Sequence, residues 1–446
     1  TPTRLALGQD YAIVRSFMAH HQGMIFLSLA NYLDNDLMVE RFHSDPRVQS
    51  IELLLQEQIP HFAPVEKSPE IEAAGMRPEQ GAPMATPWQV PHETPFPEAH
   101  LISNGRYGVL VTNAGSGYSR WQDIDLTRWR ADTTLDNWGT WVYVQDIDAG
   151  DFWSAGYQPC GVTAQRETTF YPYKVDFRST ANQIVTRMEI TVPPEADLEI
   201  RRVSLTNQGS QPRRLLVSSY GELVLAAQET DQRHPAFNKL FIESEYRSDI
   251  NGLLFHRRPR SGEESQVYLL HVLVAGRDQE STGAYESDRA AFIGRGGTPR
   301  NPAALNDDKG LTNTAGTVLD PIMALAQVVE LAPHTTVQIA FLTIAAESRE
   351  ESLDLAKRYR DWARIDRAFD QARSQSEIEM RELELSSAEL QRIEQLLSVL
   401  LYPNPALRAE PDILAANRKG QPGLWSFAIS GDYPILLVRV ATEDDT

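Results

Sequence analysis

The stretch QIVTRMEITV, Gln183–Val192, decides the fold class. Ile184, Met188, Ile190 and Val192 fall on one face together with Thr186, while Arg187 and Glu189 fall on the other. A period of two places alternate side chains on opposite faces of an extended strand. Outward from this stretch the same pattern holds from about 99 to 346. VYLLHVLVAG (Val267–Gly276) and TTVQIAFLTI (Thr335–Ile344) read as further strands, and TNQGSQPRR (Thr206–Arg214) carries turn chemistry between two of them. Many strands with no helices between them predict a large antiparallel β-sandwich.

On either side the period changes. Residues 10–33 have helical spacing and are apolar nearly all round from Met24 on, as in a helix packed between others. A short acidic helix is expected around Gln49–Gln58. Residues 60–98 hold nine prolines and little periodicity, and read as a linker. After the strands, Ser348-x-x-Glu351 and Ser386-x-x-Glu389 are capping boxes opening two helices, the second stopped by Pro403. The expected organisation is therefore 1–59 helical, 60–98 linker, 99–346 sandwich, 347–403 linker helices and 404–446 the start of another domain. The chain opens mid-helix and stops after an apolar run, so a piece of a longer protein is expected.

Composition narrows the function. The 446 residues carry a net charge of −19, which disfavours a nucleic-acid partner. No apolar run approaches the ~20 residues of a membrane span. The single cysteine, Cys160, precludes an intrachain disulfide and fits a reducing compartment.

Five of the eight tryptophans fall between Trp121 and Trp153, interleaved with arginines and aspartates. Aromatic faces with bidentate polar groups are the chemistry of a sugar site, although tryptophans in β proteins commonly pack the core. The turn NAGSGYSRW (Asn113–Trp121) follows a strand, but a nucleotide loop needs a helix next, and strand formers follow instead. It reads as a tight turn presenting Tyr118, Arg120 and Trp121. FIGRGGTPRNP (Phe292–Pro302) reads as a turn able to offer Arg295 to an anion. Asp432 reads as a helix N-cap. His20 and His21 are adjacent rather than spaced for a metal, and no metal or cofactor is expected.

These residues carry a resemblance. The segment ISNGRYGVLVTNAGSGYSRWQDIDLTRWRADTTLDNWGTWVYVQDIDAGDFWSAGYQP (Ile102–Pro159) resembles the N-terminal sandwich of glycoside hydrolase family 94, the cellobiose-phosphorylase-like enzymes. YESDRAAFIGRGGTPRNPAAL (Tyr285–Leu305) and GLWSFAISGDYPILLVRV (Gly423–Val440) are similar to later signatures of that family. VRSFMAHHQGMIFLSLANYL followed by RFHSDPRVQSIELLLQEQIP resembles the order found in cyclic β-1,2-glucan synthases. The resemblance implies a mainly β fold with α: a galactose-mutarotase-like supersandwich, linker helices and the beginning of an (α/α)6 barrel. It implies inverting phosphorolysis in the parent, with inorganic phosphate as co-substrate and an Asp of the barrel, beyond this chain, as general acid. No catalytic residue is therefore expected here. Asn104, Arg106, Tyr118, Arg120 and Trp121 are the expected glucan-contact residues. The implied partners are a β-glucan and the rest of the parent chain, with a homodimer as a further option. The implied location is the cytoplasmic side of a bacterial inner membrane that anchors the parent. The alternative is a stand-alone carbohydrate-binding or dimerisation module without catalysis.

Overall fold

The computed structural model describes residues 19–45, 48, 87–91, 93–161, 165–259, 266–276, 283–306, 310–404, 407–433, 435 and 437. Two compact units divide the chain, Thr1–Arg77 with Arg408–Thr446, and Pro78–Leu407. The first contains α1 (Ala19–Leu33) and α2 (Leu37–His43). The helix expected near Gln49–Gln58 lies outside the described residues.

The second unit is a sandwich, with eighteen strands among the described residues. In chain order they are β1 (Trp88–Val90), β2 (Ala99–Ser103), β3 (Tyr107–Thr112), β4 (Gly117–Trp121), β5 (Ile124–Thr127), β6 (Trp141–Asp146), β7 (Phe152–Ser154), β8 (Gln165–Tyr171) and β9 (Lys174–Ala181). There follow β10 (Ile184–Thr191), β11 (Leu198–Asn207), β12 (Arg213–Ala226), β13 (Ile242–Arg247), β14 (Gly252–Arg257), β15 (Tyr268–Val274), β16 (Ala284–Asp288), β17 (Pro321–Leu331) and β18 (Thr336–Ala346). One sheet runs β1-β8-β9-β10-β11-β18-β15-β14-β13. The other runs β16-β17-β12-β5-β4-β3-β2, with β6 also on β12 and β7 on β6. The strand pairings are antiparallel.

The opening stretch shows why the sheets face each other. Ile184, Met188 and Ile190 of β10 enter the core between the sheets with Phe177, Phe341, Val217 and Met323. Thr186 lies with them because the Trp153 indole N–H, from the other sheet, donates to its hydroxyl at 3.1 Å. On the outer face Arg187 is exposed, but Glu189 is buried. Lys174 and Arg202 each approach Glu189 to 2.7 Å, which compensates the buried charge. Further polar ties cross the core: Ser119 to Glu199 at 2.7 Å, and Ser219 to His271 at 2.9 Å.

The unbroken apolar run of β15 has a different cause. Leu269 and Leu273 face the inter-sheet core, while Leu270 and Val272 face helices packed outside. A strand covered on both faces loses its alternation. Two helices cover it, one opened by the predicted capping box at Ser348 and a second that follows at once, while the helix of the other predicted box packs elsewhere, on β2. After α3 (Gln228–Arg233), α4 (Pro235–Lys239), α5 (Arg289–Ile293) and α6 (Ala303–Asn306) come α7 (Arg349–Tyr359), α8 (Trp362–Glu382) and α9 (Ser387–Leu401). Ser348 caps α7, Asp361 caps α8, and Ser386 with Glu389 forms the full reciprocal box on α9. Ala356, Trp362, Ile365 and Phe369 lie on Leu270, Val272, Leu342 and Ile344.

Three expectations change. β1 lies inside the stretch read as linker, paired with β8, so strand structure starts at 88. The strand run is interrupted by the short helices α3 to α6, the first two following β12 and the others bracketing a loop at 294–302. Asp432 does not cap a described helix: it follows α11 (Pro422–Trp425), itself after α10 (Pro411–Ala416), and accepts from Gln421 Nε2 at 2.8 Å.

Candidate functional site

β4 holds three of the five candidate side chains, and its alternation separates them. Trp121 points into the inter-sheet core, while Tyr118 lies on the outer face, in a different apolar cluster. Gly117 begins the strand at φ 145°, and a Cβ there would fall 1.8 Å from the Leu110 carbonyl oxygen, so only glycine closes this turn.

Trp121 is 3% exposed, and its indole N–H donates to Asp197 Oδ2 at 2.8 Å. Arg106 is 54% exposed; its Nε donates to the two Asp197 oxygens at 3.0 and 3.1 Å, with Nη2 at 2.8 Å. Asn104 donates Nδ2 to the Pro193 and Ala196 carbonyls at 3.1 and 3.0 Å. Its Oδ1 accepts from the Arg106 and Tyr107 N–H groups at 3.0 and 2.8 Å. Three candidates thus converge on the β10–β11 turn and tie it to the β2–β3 turn, closing one end of the sandwich.

The other two sit apart from them. Tyr118 stacks on Trp129 at 5.5 Å, in a cluster with Leu110, Leu397 and Tyr402 that seats α9. Burial raises its phenol above the ordinary value. Arg120 is 39% exposed, donates to the Gln122 carbonyl at 3.0 Å and lies 4.0 Å from Asp125. Burial pushes Asp125 up to about 6, against the pull of Arg120.

A cleft of about 670 Å³ opens at the far end of β3, where the β3–β4 turn meets the loops around 91–97, 133–137, 157–161 and 298–300. The six residues of β3 place it roughly 20 Å from Asp197. Its loops are braced by hydrogen bonds. The Asn113 side chain accepts from Glu98 N at 3.1 Å, Gln158 N donates to the Ala114 carbonyl at 2.9 Å, and the Tyr143 hydroxyl donates to the Pro299 carbonyl at 2.7 Å. The Arg166 guanidinium lies 3.6 Å from the centre of the Tyr157 ring. Asp136 is 6% exposed with φ 47°, and Thr112 donates to its Oδ2 at 2.6 Å. Its Oδ1 accepts no hydrogen bond from a described residue. Burial raises its carboxyl to about 6, although the Thr112 and Ser116 hydroxyls favour the charged form.

Residues 86–362 match the family described as "Glycosyl hydrolase 94, supersandwich domain". The chain belongs to this glycosyl hydrolase 94 family. Cyclic beta-(1,2)-glucan synthase NdvB of Rhizobium meliloti is 35% identical over 453 aligned residues, spanning 100% of this chain and 16% of that protein. N,N'-diacetylchitobiose phosphorylase of Vibrio furnissii is 25% identical over 62% of this chain and 34% of its own length. A bacterial glucoamylase structure aligns at TM-score 0.37 with 11% identity, over 60% of this chain and 35% of that one. This chain thus spans well under half the length of the curated relatives it matches.

Within this glycosyl hydrolase 94 sandwich, sequence reading missed Asp197 and most of the cleft. Asp197 lies in VPPEAD, a turn without any distinguishing pattern. In the loop at 292–302 the sequence points to Arg295, but Thr298 and Arg300 are the residues of it that line the cleft. Asp136 stood among the interleaved acids, and only the folded loops distinguish it from its neighbours. Of the clustered tryptophans, Trp121, Trp141 and Trp153 are buried core residues.

Proposed function

We propose that this chain is the glucan-contacting sandwich of a cyclic β-1,2-glucan synthase-like protein. Its phosphorylase-like part would transfer glycosyl units by inverting phosphorolysis, with inorganic phosphate as co-substrate. The observation carrying this is the 35% identity to the synthase across the whole of this chain. In this reading the reaction is carried by the barrel, and the sandwich supplies a wall against which glucan rests. Of the five sequence candidates, Arg120 is assigned direct sugar contact, since it is partly exposed on the outer face. Tyr118 supports it from the seat of α9, and Asn104, Arg106 and Trp121 support it by fixing the sandwich end through Asp197. No helix among the described residues is long and apolar enough to cross a membrane. Calorimetric titration of this chain with linear β-1,2-glucan tests the contact. Saturable heat at millimolar sugar is expected, and none would refute glucan contact by the sandwich.

A further inference from the structure

We infer that the cleft beside the β3–β4 turn is a carbohydrate subsite, taking a few units of a neutral, hydroxyl-rich oligosaccharide. The inference rests on the proposed glucan contact and adds to the Arg120 surface a second region of contact, roughly 20 Å from the Asp197 end. Its volume, about 670 Å³, lies within the range of roughly 300–1,000 Å³ typical of ligand sites. Its lining mixes guanidinium, amide, hydroxyl and carboxylate groups, with Arg300, Arg166, Asn137, Glu93 and Asp136 among them. Sugar hydroxyls both donate and accept, and such a mixed set meets both demands. Leu135, 58% exposed, gives an apolar surface for the C–H face of a ring.

The charges select against an anion. Asp136 in the wall and Glu93 nearby put two carboxylates beside the two arginines. Burial raises the Asp136 carboxyl to about 6, while the Thr112 hydroxyl that donates to it favours its charged form. A phosphate or uronate would meet that charge in a largely water-excluded position, whereas a hydroxyl can donate toward it directly or through one water. The braces at Asn113, Gln158 and Tyr143 hold the loops before a ligand arrives, which lowers the ordering cost of binding.

The test is calorimetry of the whole chain with sophorose and longer linear β-1,2-gluco-oligosaccharides, using wild type, Arg300→Ala, Leu135→Ser and, as a control on the exposed face of α7, Lys357→Ala. Arg300 and Leu135 are exposed, so these variants retain the fold, and circular dichroism verifies it. Arg300→Ala is expected to weaken binding roughly tenfold, as for loss of a charge-assisted hydrogen bond. Leu135→Ser weakens it severalfold, and Lys357→Ala leaves it within twofold. If sugar binds but Arg300→Ala and Leu135→Ser bind as wild type, the cleft is not the site, and the glucan-contact reading survives. If wild type gives no heat, that reading falls and this inference with it. Binding of inorganic phosphate that Arg300→Ala abolishes, without heat from the sugars, overturns the choice of a neutral ligand.

Discussion

One carboxylate, Asp197, accepts from the Trp121 indole and the Arg106 guanidinium and lies 3.4 Å from the Asn104 amide. The two charged partners differ in what their loss costs. Removing Asp197 strands a buried indole N–H, and each hydrogen bond to a charged group is worth roughly 1.5–3 kcal/mol. Removing Arg106 deletes only the more exposed side of an ion pair, worth about 0–1 kcal/mol. Asp197→Ala is therefore expected to destabilise by about 2–3 kcal/mol and Arg106→Ala by less than about 1 kcal/mol, read from urea midpoints. Equal effects would refute the central role of Asp197. Cys160 offers a second residue-level check. Burial raises its thiol to about 11, so a thiol-specific disulfide reagent at pH 8 should label it only as fast as the protein unfolds. Of these residues, Trp121 stands out in the sequence among clustered aromatics and arginines, but its buried place beside Asp197 does not, and Asp197 does not stand out at all, since its partners are separated from it by about 75 to 95 positions.

Elements were far more legible than sites. The period-two stretch at 183–192, the turn at 206–214 and the capping box at 386–389 each report a local physical demand, and each is present in the fold. β1 was missed because three residues among prolines carry no period. The docking of α9 on β2 was also invisible in sequence. There the Ser398 hydroxyl accepts from Ala99 N at 2.8 Å, and Glu394 lies 3.4 Å from His100 Nδ1. The His100 Nε2–H donates to the Tyr171 carbonyl at 2.8 Å, which leaves Nδ1 as an acceptor for a protonated Glu394. Burial pushes Glu394 up to about 7 and His100 down to about 4. The folded chain therefore retains a proton on Glu394 that the unfolded chain releases near 4.5, and this contribution to stability is lost as pH rises from 4.5 to 7. His100 has the opposite slope, favouring the fold as pH rises from about 4 to 6.5. Glu394→Gln mimics the protonated acid. Relative to wild type it should be near neutral at pH 5 and more stable by roughly 1–2 kcal/mol at pH 7.5, by differential thermal unfolding. A pH-independent difference would rule out a protonated Glu394 at this contact.

At the scale of the whole molecule, polar ties bind the two sheets into one cooperative body. His271 bridges Ser219 on one sheet and Thr343 beside it at 2.9 and 3.1 Å. Burial, with Arg201 nearby, holds its imidazole down to about 3. Below about 6.5 the unfolded chain takes up a proton there that the folded chain refuses, so stability falls with pH toward 3. His271→Gln should lower stability at pH 7 yet flatten the fall of the unfolding midpoint between pH 6.5 and 4. An unchanged slope would place the acid sensitivity elsewhere. Such ties unite strands far apart in sequence, which is why alternation predicted the sandwich but not its wiring. The separation of the Asp197 end from the cleft by the length of one hairpin has a practical result. Gly105, at the tip of the β2–β3 turn with open space around it, is a suitable point for a tether. A cysteine placed there costs about 1 kcal/mol of backbone strain and would outcompete the shielded Cys160 for a maleimide. Sensor surfaces prepared this way would hold every molecule in one orientation, with the opposite pole facing the flow.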